Sequence, residues 1–260
     1  MSVSKSPDAG FSPGVQEIVR PLVTVDVVIF TVGKSAEEHD CLQVLLVRRP
    51  GTDGEPFAGH WALPGGFVDV VLDADLRSCA LRKLREKTSV ETPYLEQLGS
   101  WGGRLRDPRG WSATHVYFAL LPLQGLNPRK GGNAEELGWF PIDRDGNLPS
   151  SQSMAFDHAE ILAAAIERLR SKVEYTSLPA FLLSEPFTLP QLQRIYEVVL
   201  GRPLDKSSFR TRVLAMDFLE EAGQMLHIDV PRKPEGYRVK KPLSLVTFPR
   251  PLQTRSSHQT

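Results

Sequence analysis

Two cysteines, Cys41 and Cys79, are all that the 260 residues contain, and their spacing fits neither a metal centre nor a disulfide framework. A cysteine-built zinc module and a disulfide-stapled secreted fold are therefore excluded, and both thiols read as reduced and buried. Long hydrophobic runs are also missing. The longest, Leu22 to Val32, is interrupted by Thr24 and Asp26 and is far shorter than the roughly 20 residues of a membrane span. No basic segment with an apolar core and cleavage site opens the chain, so a cytoplasmic protein with no membrane partner is expected. Neither sign of charge dominates, with 31 Lys/Arg against 31 Asp/Glu. The balance hides an asymmetry: residues 201–260 carry 11 Lys/Arg and 6 Asp/Glu, whereas the preceding residues carry 20 and 25. A basic C-terminal module on an acidic body is the simplest reading, and basic modules favour polyanions.

Residues 1–18 hold Ser, Pro and Gly and little that can pack, and read as a flexible tail. Strands are expected at 22–32 and 42–47, and a Pro/Gly loop then leads to the segment from His60 to Gly66. Helical periodicity covers 75–87, with Leu76, Cys79, Ala80 and Leu84 on one side. Further strands are expected at 94–101, 112–121 and 135–141, the first two joined by a loop at 104–110. A strongly amphipathic helix covers 157–169. After residue 172 the composition changes. Thr188 caps a helix that Gly201 and Pro203 stop, and Asp205 or Ser207 caps another that carries Phe209, Val213, Met216, Phe218 and Leu219 to a core and ends at Gly223. Two short strands, 225–230 and 237–240, follow around a turn. The resulting divisions are a body at 19–172, a basic module at 173–245 with the outline of a winged helix-turn-helix, and a second tail at 246–260.

The chemistry-bearing residues fall in three clusters. In the first, Pro64-Gly65-Gly66 lets backbone approach a ligand closely, and the helix behind it presents Lys83, Glu86 and Lys87 on one face. A site for hard cations needs several converging carboxylates. One carboxylate between two lysines reads instead as an ion pair, and Asp69, Asp73 and Asp75 read as solvated loop residues or as the remnant of a weak metal site. The second cluster is Arg106-Asp107-Pro108-Arg109-Gly110-Trp111. Its two arginines flank a turn and offer forked donors suited to a diphosphate, while Trp111 stacks on a base or seals the core. Arg49 and Trp61 are candidates on the same side, and His158 is equally a cap, a packing residue or a ligand contact. The third cluster is Lys206, Ser207, Ser208, Arg210 and Arg212 at the start of the second C-terminal helix. Arg210 and Arg212 stand about 200° apart around that helix, so one reaches a base edge or phosphate and the other a neighbouring phosphate. Arg232, Lys233 and Arg238 form a basic wing, and Tyr237 packs against the helix or touches the DNA backbone.

The stretch 63–90 resembles a Nudix box, the strand–loop–helix signature of hydrolases that act on nucleoside diphosphates linked to another moiety. That pattern runs Gly, five residues, Glu, seven residues, then Arg-Glu-(apolar)-x-Glu-Glu-x-Gly-(apolar). Arg82, Leu84, Glu86 and Val90 fit its second half; Lys83, Lys87 and Ser89 stand where two glutamates and a glycine belong, after a loop about two residues longer. The Arg-Asp-Pro-Arg-Gly string is similar to that of Nudix proteins handling ADP-ribose. Together with the winged-helix outline, these features resemble the Nudix-related transcriptional regulators of NAD metabolism. The resemblance covers about residues 19–241. It implies an α+β chain, with a Nudix α/β/α sandwich around a mixed sheet followed by the winged helix. It further implies a homodimer that represses genes of NAD synthesis or salvage, binds double-stranded operator DNA, and is released by ADP-ribose without cleaving it, so that no cofactor or catalytic residue is expected. The wing, Pro-Arg-Lys-Pro-Glu-Gly-Tyr-Arg, departs from the Gly-Arg-Pro-like turn of that family. Two rival readings are an active Mg²⁺-dependent ADP-ribose pyrophosphatase working through Glu86, and an adaptor whose winged helix contacts protein.

Overall fold

β1 (Leu22–Lys34) is rich in β-branched residues and buried on both faces, which suits the middle of a sheet covered from two sides. A computed structural model describes residues 20–89, 92, 94–124, 136–149, 152–225, 233–242, 244–249 and 252. Around β1 lie β2 (Asp40–Arg48), β3 (Trp61–Ala62), β4 (Gly65–Phe67), β5 (Tyr94–Asp107), β6 (Gly110–Leu120) and β7 (Glu136–Pro141). The order is β3-β2-β1-β6-β5, with β4 added to β1 and β7 to β2. β1 and β6 run parallel and the other pairs antiparallel, which makes the sheet mixed. Val25, Val27 and Ile29 face α1 (Leu76–Thr88) through Cys79, Ala80 and Leu84. Val28 and Phe30 face the opposite way, toward α2 (His158–Val173) and its Ile161, Ala165 and Leu169. The alternation along β1 produces the expected α/β/α sandwich. Cys79 of α1 is fully buried, and burial pushes its thiol up to about 11; Cys41 is half-buried.

Asp75 caps α1, its carboxylate accepting from the Ser78 amide at 2.6 Å. The helix ends on Ser89 with φ 58°, the left-handed conformation that glycine adopts most readily. This is the position where the Nudix pattern carries glycine. Ser89→Gly is therefore expected to raise stability by about 0.5–1 kcal/mol, measured by urea unfolding; a loss of stability would contradict the strained cap.

The body departs from expectation at the hairpin. β5 does not stop near Trp101 but runs to Asp107, and only Pro108 and Arg109 make the turn before Gly110. Gly110, at φ 150°, closes it across the Asp107–Gly110 pair.

The C-terminal module holds a 3-10 helix at Leu178–Leu182, α3 (Leu189–Leu200), α4 (Lys206–Ala215), and the hairpin β8 (Leu219–Gln224) and β9 (Glu235–Val239). Thr188 and Gln191 form a capping box on α3, Gly201 ends it in the left-handed region, and Asp205, not Ser207, caps α4. The expected run of α4 to Gly223 is wrong. The helix stops at Ala215, Asp217 turns the chain with φ 54°, and Leu219 pairs with Val239. Gly223 lies beside a register shift in β8 instead of ending a helix. β8 precedes the wing strand expected at 225–230, of which residues 226–230 lie outside the described residues, as does Arg232.

The two modules pack on each other. Leu169 and Val173 of α2 belong to one apolar cluster with Leu192, Tyr196, Phe209, Val213 and Val239, so apolar packing continues across the expected boundary at residue 172. The Tyr196 hydroxyl donates to the Thr176 carbonyl at 2.6 Å, and Arg194 of α3 meets Asp40 of β2 at 2.9 Å. The expected tail from 246 is also partly packed: Phe248 is buried and stacks on Tyr196, with Thr247 bridged to Thr176. No helix among the described residues is long and apolar enough to cross a membrane.

Candidate functional site

Gly65 and Gly66 lie in β4, paired with Asp26 and Val25 of β1. A Cβ on Gly65 would fall 1.9 Å from the Asp26 carboxylate and 2.6 Å from the Val25 carbonyl, so only glycine fits there. The Leu63 amide donates to Nδ1 of the buried His158 at 2.9 Å, which ties this turn to the start of α2. Above the turn opens a cavity of about 400 Å³. Seven of the nine residues expected to meet a ligand line it: Arg49, Gly65, Gly66, Arg106, Asp107, Arg109 and His158.

Each arginine is oriented by an acid. Arg106 is buried; its Nε meets Asp157 at 2.9 Å and a terminal nitrogen meets Asp26 at 3.3 Å. Burial alone would raise the Asp26 carboxyl, but His158, the Thr114 hydroxyl at 2.7 Å and Arg106 outweigh it and hold the group below the usual carboxylate range. Arg109 grips Asp107 with two bonds, 3.0 and 2.7 Å, while lying over the exposed Phe67 ring at 5.2 Å. Arg49 donates to the Pro56 carbonyl at 2.7 Å and to Glu55 at 3.2 Å, 4.9 Å over Phe156. The guanidinium groups are fixed in advance beside the cavity, which suits a diphosphate flanked by rings.

Trp61 and Trp111 do not join this set. Trp61 packs on Phe140 at 4.6 Å, and Trp111, half-exposed on β6, lies against Gly102. Asp26, Glu55, Phe67 and Phe156 line the cavity without having been singled out. Asp26 had a visible signal, since it is the one carboxylate inside an apolar strand. Phe67 had another, as a large ring just after two glycines.

From α1 the cavity receives Lys83, Glu86 and Lys87. The Lys83 ammonium lies 3.2 Å from where a Gly66 Cβ would stand. Lys87 is buried, and desolvation lowers its pKa. Glu86 is held by Arg82 at 2.9 Å and approached by Lys83 at 4.0 Å. The upstream aspartates are committed elsewhere: Asp69 accepts from the Val71 and Leu72 amides, Asp75 caps α1, and Asp73 is gripped by Arg82, whose fork holds its carboxyl well below the usual range. Among the described residues no three His, Cys, Asp or Glu side chains come together to hold a metal ion. A Mg²⁺ site of the hydrolase kind does not fit this donor set, because each carboxylate at the cavity already faces a Lys, Arg or His and two ammonium groups stand on the metal side.

On the C-terminal module, Lys206, Ser207 and Arg210 are exposed on α4, and Ser208 and Arg212 are half-buried. Arg238 is exposed on β9 beside Glu220 at 3.7 Å, and Lys233 precedes that strand. Tyr237 is a correction. It is only 7% exposed and belongs to the apolar core, so packing is its role and DNA contact is not.

Residues 21–164 match the NUDIX domain and residues 179–239 the NrtR DNA-binding winged helix domain. Fold and site together thus define a Nudix domain joined to a DNA-binding winged helix. Over 239 residues the chain is 40% identical to the ADPR responsive transcriptional repressor NtrR of Acinetobacter baylyi, covering 92% of this chain and 90% of that one. The crystal structure of Shewanella oneidensis NrtR matches with a TM-score of 0.74 and 40% identity, over 89% of this chain and all of that one. The same regulator complexed with a 27mer DNA matches at 0.72 and 38% identity, over 89% and 99% of the two chains. The chain belongs to the NrtR family of Nudix-related transcriptional regulators.

Proposed function

We propose that this chain represses genes of NAD synthesis or salvage, binding operator DNA as a homodimer and leaving it when ADP-ribose fills the cavity, without hydrolysing the effector. One observation carries the reading: an arginine-lined cavity and a winged helix share a single core through α2. α2 begins at the cavity with His158 and is about 24 Å long at 1.5 Å per residue. Its far end packs on α3, and a helix running from the cavity to the winged helix supports coupling of effector to DNA. A ligand that draws Arg106 and Arg109 toward a diphosphate alters the ion pairs that seat the start of α2. To release DNA it must bind the DNA-incompetent arrangement more tightly.

Support for the DNA role comes from the cations of α4 and β9, with Lys206 and Arg210 presented by the first turns of the helix. Support for a homodimer comes from Val70, Val71 and Leu72, consecutive apolar residues left 90%, 87% and 67% exposed. Light scattering should then give twice the chain mass; a monomer at micromolar concentration would contradict it. The reading as a whole is tested by a mobility shift on DNA from upstream of the chain's own gene. A retarded complex is expected, and ADP-ribose should abolish it. No retardation at any protein concentration, together with Mg²⁺-dependent release of AMP, would establish the hydrolase instead.

A further inference from the structure

The lysines on the cavity side of α1 differ from two other cations of the helix. Arg77 and Arg85 are exposed to solvent, whereas Lys83 keeps only 14% of its side chain exposed and Lys87 is buried; both line the cavity. Positions 83, 86 and 87 share one face, and Lys83 hangs over Gly66 at the cavity floor. The lining as a whole holds six Lys/Arg side chains (Arg48, Arg49, Lys83, Lys87, Arg106 and Arg109) and four carboxylates (Asp26, Glu55, Glu86 and Asp107), while Glu136 and Asp157 beside it pair with Arg48 and Arg106. Withdrawing ammonium groups from water is unfavourable unless negative charge meets them, and a diphosphate in this cavity brings negative charge to both lysines.

We propose that Lys83 and Lys87 are built-in counter-charges for the effector's diphosphate, doing from α1 what bound cations do in a hydrolase, so that the effector binds without any divalent metal. This rests on the effector reading above and adds to it the manner of recognition. In a metal-dependent site the diphosphate and the carboxylates are both anionic, and only a cation between them makes binding favourable. Here the helix presents the positive charge itself. Binding then requires no metal, and no metal-bound water is generated next to the phosphorus.

The test is calorimetric titration of the full chain with ADP-ribose, once in excess EDTA and once in millimolar MgCl₂. The two dissociation constants are expected to agree within about twofold. Lys83→Met and Lys87→Met should each weaken binding at least about tenfold, as loss of a charged contact does. Thermal melting shows whether each variant is folded; should Lys87→Met unfold, Lys83→Met and the EDTA comparison decide. The double variant Lys83→Glu/Lys87→Glu should bind ADP-ribose better with Mg²⁺ than with EDTA. Binding by the parent chain only in Mg²⁺, or methionine variants that bind as the parent does, would overturn the proposal and leave the effector reading intact. No heat of binding under either condition would overturn both.

Discussion

Arg210→Ala is expected to weaken operator binding by about 10- to 100-fold per protomer while leaving ADP-ribose affinity unchanged. Arg210 is exposed on α4, and no ion pair among the described residues holds it. Its neighbour Phe209 is buried under α3 beside Tyr196, so the helix is fixed in place and the arginine projects outward. A base-edge contact should lose discrimination at one position of each half-site; a phosphate contact should weaken all sequences alike and lower the salt slope by about one. Anisotropy titrations across a salt series separate the two. Undiminished affinity would remove Arg210 from the interface, and a parent affinity indifferent to salt would favour a protein-binding adaptor.

Arg106→Met is expected to cost about 3 kcal/mol, roughly 6–12 °C in melting temperature. The arginine side chain is 6% exposed and lies between Asp26, 7% exposed, and Asp157, 20% exposed. Methionine fills much of the volume and leaves two acids without their shared cation. The size follows from stranding buried charge, since the intact network is not itself a large net gain. The pH dependence has a definite sign. Asp26 is depressed in the folded chain, so its contribution is present above its ordinary value of 3.8 and fades as pH falls through the folded value. The variant's deficit should therefore be full at neutral pH and shrink below about pH 3.8. Melts at the two pH values check this. An equal deficit at both would mean that packing, not charge, is what Arg106 supplies.

The sequence announces what is local and hides what is distant. Thr188 and Asp205 cap helices, and Gly65-Gly66 marks a close approach, because the signal and the structure lie within a few residues. The set Asp26, Arg106 and Asp157 joins residues 80 and 51 positions apart, and no spacing rule reaches that far. The arginines of the hairpin are legible as forks, but the pairing of Arg106 with Asp26 and Asp157 is not. The expected run of α4 to Gly223 fails because Phe218 and Leu219 continue a helical apolar pattern equally well; pairing of Leu219 with Val239 decides for strand. Tyr237 could have been placed correctly. Adjacent strand residues face opposite ways, so an outward Arg238 requires an inward Tyr237. Lys83 and Lys87 read first as the ruin of a metal site, and only the fold shows that both line the cavity.

A sensor and an enzyme are told apart by the fate of the effector. The decisive measurement follows release of fluorescent operator DNA from the full chain by ADP-ribose in the presence of Mg²⁺, with chromatography of the nucleotide from the same mixture. DNA should be released and stay released while ADP-ribose is recovered intact. Accumulation of AMP with DNA rebinding as ADP-ribose is consumed would show a working hydrolase and contradict the reading of this cavity as a sensor.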